Sequence, residues 1–204
     1  MEKIQLAIDL DGVVINIMQA IVNRYNESQK EENQLYYWNL TTWDVDNLLN
    51  VSKDTLYHWI EEIDPKDVMV DMNVAFVIRT LICSEKYLVK FLTKKNDKMM
   101  VWTNEVLNQT VLSQMNIPIE FVPESDEKSN PKYKWDILID DNYDCIKKCS
   151  QVNRKAILFV QPWNICKAKI DNTPIMYSWN LVEHFLLEEI YTLWGLKFGL
   201  FSKK

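Results

Sequence analysis

A chain of 204 residues with 48% hydrophobic and 25% charged side chains holds enough apolar material for one domain with a modest insertion, which excludes wholesale disorder. The formal net charge of −6 argues against general nucleic-acid binding, which asks for a basic surface. No apolar stretch approaches the roughly 18 residues that span a bilayer, and the N-terminus runs directly into an apolar strand, so the expectation is a cytoplasmic protein with no membrane association.

Taken in chain order, Ile4 to Ile8 (I-Q-L-A-I) reads as a buried strand closed by Asp9-Leu10-Asp11-Gly12-Val13. Side chains two positions apart on an extended chain share a face, so Asp9 and Asp11 can address one point in space. Gly12, one of only three glycines, then allows a sharp turn. Met18 to Asn26 has helical periodicity, which the polar run S-Q-K-E-E-N-Q interrupts. Residues 31–80 are rich in aromatics and lack strand alternation; they read as a small, mainly helical cap, with Asp64-Pro65 as a helix boundary or N-cap. Ser84 to Lys95 reads as a helix. Strands are expected at about 98–102, 119–122, 135–139 and 156–160, alternating with helices at about 105–115 and 142–150. An amphipathic helix from Asn180 to about Leu193 follows, and its apolar extension W-G-L-K-F-G-L-F leaves a homodimer open.

Alternation of this kind predicts an α/β fold: a Rossmann-like three-layer sandwich with a central parallel sheet and helices on both faces. Residues 1–30 and 81–204 would form the core domain, and 31–80 the helical cap inserted after the first strand and helix. Ligands bind beyond the carboxyl ends of the strands in such sheets. The four cysteines, Cys83, Cys145, Cys149 and Cys166, read as reduced thiols used in packing, because neither His58 nor His184 is spaced to complete a zinc site with Cys145 and Cys149.

The strongest chemical signal is a pair of acidic clusters, each closing an apolar run. Asp9 and Asp11 follow the first strand, and Asp140-Asp141 follow W-D-I-L-I at 135–139. Either cluster alone is as well explained by turn chemistry or helix capping. Together, at the ends of two strands of one parallel sheet, they point to a shared site. Gathered carboxylates repel, so three or four of them need a cation or open water. Mg²⁺ suits them, being a hard ion that takes one or two carboxylates, several waters and a substrate phosphate. Asp is also a competent nucleophile toward phosphorus, with a second carboxyl acting on the leaving oxygen.

At this point the chain resembles the haloacid dehalogenase-like phosphohydrolases, and within them the 5'(3')-deoxyribonucleotidase family. A-I-D-L-D-G-V-V resembles the first motif of the superfamily, and M-M-V-W-T-N at 99–104 the second, a strand ending in Thr. Lys128 in D-E-K-S and D-I-L-I-D-D-N at 136–142 resemble the third and fourth. I-L-F-V-Q-P-W-N at 157–164 and S-W-N-L-V-E-H-F at 178–185 are similar to the nucleotidase family in particular.

The resemblance implies a Mg²⁺-dependent phosphomonoesterase acting on deoxyribonucleoside monophosphates through an aspartyl-phosphate. Asp9 would attack phosphorus and ligate Mg²⁺. Asp11 would act as general acid and then base while its carbonyl ligates the metal. Thr103 would bind a phosphoryl oxygen, Lys128 would neutralise charge, and Asp140 and Asp141 would complete the metal site. Lys132 is an alternative to Lys128. A mononucleotide is compatible with an acidic chain, since Mg²⁺ and one or two lysines reverse the field locally.

Three departures bear on the substrate. Ile17 stands where the family has an aromatic wall residue, Tyr143 replaces a Pro, and no Pro-Gly-aromatic segment occurs around Asp64 to Val70. Tyr36, Tyr37, Trp38, Trp43, Tyr57 and Trp59 offer faces for a base, or form the core of the cap. Gln161 and Asn164 lie after a strand and within reach of the cleft, whereas Trp163 reads as structural. A phosphatase of another small phosphomonoester or of a nucleic-acid 3'-phosphate end, and a noncatalytic phosphate-binding or interaction module, are the competing readings.

Overall fold

The structure is a computed structural model that describes residues 2–70, 72–167 and 173–187. Six strands, β1 (Ile4–Ile8), β2 (Tyr87–Lys94), β3 (Ile119–Val122), β4 (Ile137–Asp140), β5 (Lys155–Phe159) and β6 (Ile175–Met176), form one parallel sheet in the order β3-β2-β1-β4-β5-β6. The order reverses between β1 and β4, the switch point at which open α/β sheets leave a crevice beyond the strand ends. Ala7 of β1 lies opposite Lys90 on one side and Leu138 on the other, so the acidic ends of β1 and β4 emerge side by side.

Seven helices complete the described fold: α1 (Ile17–Asn26), α2 (Val45–Leu49), α3 (Lys53–Glu62), α4 (Met72–Cys83), α5 (Asp97–Asn108), α6 (Tyr143–Gln151) and α7 (Trp179–Leu187). Strand alternation sorts the core into two faces. Leu6, Ile8, Ile137 and Ile139 join the apolar sides of α1, α4, α5 and α7, whereas Ala7 and Leu138 join Ile146 and Cys149 of α6 with Tyr133 and Trp135. This is the expected three-layer sandwich with helices on both faces.

The middle of the chain corrects the sequence reading. Residues 87–94 form a strand rather than part of a helix over 84–95, and the expected strand at 98–102 is the interior of α5. Y-L-V-K-F-L-T-K buries Tyr87, Val89 and Phe91 in strand alternation, with Leu88 exposed between them. M-M-V-W-T looks like a strand only in a short window. Over twelve residues its buried positions, Met99, Trp102, Thr103, Val106 and Leu107, fall at the spacing of a helix face, and Asn96 caps the start by accepting from the Met99 N–H at 3.0 Å. The expected helix over 105–115 is accordingly the end of α5 followed by a 3-10 turn at Val111–Met115.

Between α1 and α4 the chain makes an excursion of 3-10 turns with α2 and α3, the latter packed on α1. The Asp64 carboxylate caps the Pro65–Asp67 turn, as Asp64-Pro65 suggested. The return is fixed beside the departure, where the Asn16 N–H donates to the Met69 carbonyl at 3.0 Å and Ile15 bridges Val70. α4 buries Val74, Ala75, Val77, Ile78 and Leu81 and packs on β2 and α7, so the chain is back on the sheet by residue 72, ahead of the expected boundary at 80. Part of the expected C-terminal helix, and all of its apolar extension, lie outside the described residues. Among those described, no helix is long and apolar enough to cross a membrane.

Replacing Asn96 by Ala removes the cap of α5 and should lower stability by about 1 kcal/mol, with Asn96→Asp restoring most of the loss. Urea unfolding of the three proteins checks this, and an unchanged midpoint in Asn96→Ala would contradict a helix starting at Asp97.

Candidate active site

Asp9 stands immediately after β1, where its N–H donates to the Ile139 carbonyl at 2.9 Å and locks the end of β1 to β4. The chain then curls tightly, the Leu10 carbonyl accepting from the N–H groups of Val14 (2.9 Å) and Ile15 (2.8 Å). Gly12 makes the curl at φ +75°, a conformation costly for any residue with a side chain. A Cβ there would also collide with the Asp141 carboxylate and lie 2.9 Å from Trp163 Cζ2.

Asp140 ends β4 and Asp141 follows it. The Asn142 N–H donates to Asp140 Oδ1 at 2.8 Å, while the Asn142 side chain caps α6 by accepting from the Cys145 N–H at 2.9 Å. Asp9, Asp140 and Asp141 are all buried, and one carboxylate oxygen from each lies within 4.8 Å of the others. Lys128 reaches into this group, its Nζ 2.7 Å from Asp9 Oδ1 and 2.8 Å from Asp140 Oδ2. The loop carrying it is held from below: Trp135 Nε1 donates to the Lys128 carbonyl at 3.1 Å, and Arg154, stacked 3.4 Å over the Trp135 ring, donates to the carbonyls of Ser129, Asn130, Tyr133 and Trp135.

Three buried carboxylates against one ammonium leave an excess of negative charge. Burial, reinforced by Asp140 and Asp11 and opposed by Lys128, pushes the Asp9 carboxyl from its ordinary 3.8 up to about 7. Burial together with the Asp140 and Asp9 charges holds Asp141 well above the usual carboxylate range, despite the indole N–H of Trp163 at 2.8 Å from its Oδ2. Burial acts to lower Lys128, but Asp140 and Asp9 outweigh it and raise the ammonium above its ordinary value. A divalent cation among Asp9, Asp140 and Asp141 would remove the repulsion, and an all-oxygen donor set is what Mg²⁺ takes, so these residues fit the ion.

Of the residues expected at the site, Asp9, Asp11, Lys128, Asp140 and Asp141 converge on one cavity of about 420 Å³. Thr103 does not. It lies on α5, buried and outside the cavity lining, because the segment that carries it is helix rather than strand. Thr93, near the end of β2 and 1% exposed, lines the cavity in its place. The signal for it was the alternation of Y-L-V-K-F-L-T-K. Lys132 pairs with Asp126 at the surface, leaving Lys128 as the lysine among the carboxylates.

Lys95 was not expected at the site, whereas Gln161 and Asn164, expected within reach of the cleft, contribute through the turn that carries them. Lys95, also buried, pairs with Asp11 Oδ2, while Asp11 Oδ1 is buried without a hydrogen-bond partner. The turn after β5 braces the site: Asn164 Nδ2 donates to the carbonyls of Asp141 (2.7 Å) and Phe159 (2.9 Å), and Gln161 Nε2 donates to the Gly12 carbonyl. Trp163, expected to be structural, touches a site carboxylate. Among the aromatics of the excursion, Trp43 lines both the main cavity and an adjoining one of about 240 Å³, which Tyr57 and Ile17 also line. Tyr36 and Trp38 instead stack on each other at 5.1 Å and are exposed.

Between about pH 4 and 7 the folded chain without a divalent cation holds a proton on Asp9 that the unfolded chain has released, so stability should fall as pH rises through this window. Melting temperatures in EDTA are expected to decline across it, and Mg²⁺ or the Asp9→Asn substitution to flatten the slope; a slope unaffected by both would contradict the buried cluster. Gly12→Ala, which meets an unfavourable φ and two close neighbours, should cost about 1–3 kcal/mol in urea unfolding.

Comparison with known proteins yields no match to a family model and none to a curated sequence. The fold, however, is shared with solved structures. A predicted phosphatase from Clostridium acetobutylicum superposes with a TM-score of 0.64 at 13% identity, covering 92% of this chain and 100% of its own. A predicted phosphoglycolate phosphatase from Haemophilus somnus gives 0.61 at 14%, covering 91% and 99%. A haloacid dehalogenase-like hydrolase from Streptococcus pneumoniae gives 0.60 at 10%, covering 90% and 98%. The chain therefore has the Rossmann-like α/β fold of the haloacid dehalogenase-like hydrolases and phosphatases, with an acidic cluster at the carboxyl edge of its sheet.

Proposed function

We propose that the protein is a Mg²⁺-dependent phosphomonoesterase that hydrolyses deoxyribonucleoside monophosphates through an aspartyl-phosphate on Asp9. The observation that carries this reading is the convergence of Asp9, Asp140 and Asp141 around Lys128 at the switch point of the sheet. Mg²⁺ held by Asp9, Asp140, Asp141 and the Asp11 carbonyl would supply neutralisation of the phosphoryl oxygens. Asp9 attacks phosphorus, and the bond from phosphorus to the ester oxygen breaks as Asp11 gives that oxygen a proton. Water then attacks the aspartyl-phosphate, its proton passing to Asp11, and Asp9 and phosphate are released. Lys128 balances the charge of Asp9 and Asp140, and Thr93 takes the position expected of Thr103, donating to a phosphoryl oxygen.

The nucleoside reading rests on the second cavity. It opens from Asp11 and is walled by Ile17, Met18, Trp43 and Tyr57, apolar and aromatic surface suited to a base. Lys53, Lys94 and Lys95 share the same cavity with Asp11, Asp44, Asp46 and Glu124, a mixed polar lining that admits as a second reading another small phosphomonoester. The four cysteines are free, in keeping with a cytoplasmic setting.

Phosphate release from a panel of 5'- and 3'-(deoxy)nucleotides and small phosphomonoesters, with Mg²⁺ or EDTA, separates these readings. Asp9→Asn should lower turnover by roughly 10⁴-fold or more. Thr93→Val should lower it by about 10²-fold, while Thr103→Val stays near wild type. Release only from other esters would keep the chemistry and remove the nucleotide; no metal-dependent release from any ester would overturn the reading.

A further inference from the structure

The turn after β5 belongs to neither acidic cluster, yet it touches both. Trp163 is 5% exposed, and its indole N–H donates to Asp141 Oδ2 at 2.8 Å. Asn164, itself fixed by the Gln161 N–H donating to its Oδ1 at 2.9 Å, holds the Asp141 carbonyl. Side chain and backbone of Asp141 are thus both anchored to one turn. Gly12 packs against this contact with no room for a Cβ, and its carbonyl accepts from Gln161 Nε2. The other side of the turn faces the excursion: the Tyr37 hydroxyl donates to Gln161 Oε1 at 2.7 Å, the Tyr37 ring meets Trp163 edge-on at 5.8 Å, and the Trp43 ring lies 5.2 Å from that of Trp163.

We propose that Trp163 is a positioning residue that sets Mg²⁺ affinity by orienting Asp141, and that Tyr37 of the excursion, itself outside the carboxylate cluster, braces the same turn through Gln161. This rests on the reading of Asp9, Asp140 and Asp141 as a cation site. A buried indole N–H that served packing alone could be satisfied by any carbonyl. Here it is spent on a carboxylate whose companions lie within 4.8 Å, in a cluster where rotation of one oxygen away from the others changes what the three can hold together. Hydrogen bonds of this kind fix the orientation of metal ligands and strengthen them as donors.

The test is Mg²⁺ binding by calorimetry to the full chain and its variants, with melting temperatures taken in EDTA. Trp163→Phe keeps a ring for Tyr37 and Trp43 but removes the donor, and should weaken Mg²⁺ binding roughly 10–100-fold. Turnover should recover when Mg²⁺ is raised, a split that a general packing defect would not give. Tyr37→Phe should weaken Mg²⁺ binding in the same direction by a smaller factor. Unchanged affinity in Trp163→Phe overturns the role of Trp163, and unchanged affinity in Tyr37→Phe overturns the bracing. Absence of Mg²⁺ binding in the wild type overturns the cation site and the inference with it. Should Trp163→Phe fail to fold, the indole N–H resonance of Trp163 in the wild type decides. Slow exchange with solvent and a shift on Mg²⁺ addition are expected; rapid exchange or no shift overturns the proposal.

Discussion

Repulsion among Asp9, Asp140 and Asp141 is the constraint to which the rest of the structure responds. Three carboxylates buried this close would not normally survive as a group: burial raises Asp9 and Asp141, and the Asp140 charge beside them raises both further. One ammonium, Lys128, offsets part of that charge, and the scaffold is arranged to keep it there. Trp135 and Arg154 hold the Lys128 loop by its carbonyls, using the opposite face of the sheet from most of the helices. The remaining charge is unbalanced by protein groups, and a cluster so charged could hold a hard cation.

The elements around the cluster divide the work. β1 and β4 lie in the middle of the sheet, with both faces covered, and supply the carboxylates from its buried centre. Loops supply Lys128, the Gly12 turn and the Trp163 turn, each fastened by hydrogen bonds to main-chain carbonyls or to a site carboxylate. The excursion between α1 and α4 supplies Trp43 and Tyr57, which wall the second cavity. The charged groups thus sit at strand ends, while inserted turns shape the wall of the neighbouring cavity.

Much of this was legible in the residues. Each acidic cluster closes an apolar run, and a parallel sheet necessarily brings such ends to one edge, so Asp9, Asp11, Asp140 and Asp141 could be placed without coordinates. Lys128 was legible as one of two candidates, and only its burial against Asp9 and Asp140 separates it from Lys132. The failure at Thr103 has a definite cause. A five-residue apolar run fits strand or helix equally, and the period emerges only over three turns, where Met99, Trp102, Val106 and Leu107 share a face. The misplaced strand carried the threonine with it by ten positions. Gln161 was legible as within reach of the cleft, but its partners, like those of Lys95 and Trp163, were not: each acts through a residue far away in the chain, and no local pattern encodes such a pairing.

The placement of β1 and β4 also bears on how the chain acquires its structure. β1 is the first of the described strands and sits at the centre of the sheet, yet its neighbour β4 is separated from it by the excursion, β2 and β3. Contacts so distant in sequence are slow to form, because a long loop must close before any of them is rewarded. On a ribosome, the edge of β1 that will face β4 stays unpaired until Ile137–Asp140 has emerged. During that interval Ile4–Ile8 would be an apolar strand with an open side, with β2 as its one earlier parallel neighbour among the described strands. Asp9 and Asp11 at its end would then be charged flanks of the kind that keep neighbouring chains apart. The carboxylates that repel one another in the finished protein would thus discourage association while it is being made.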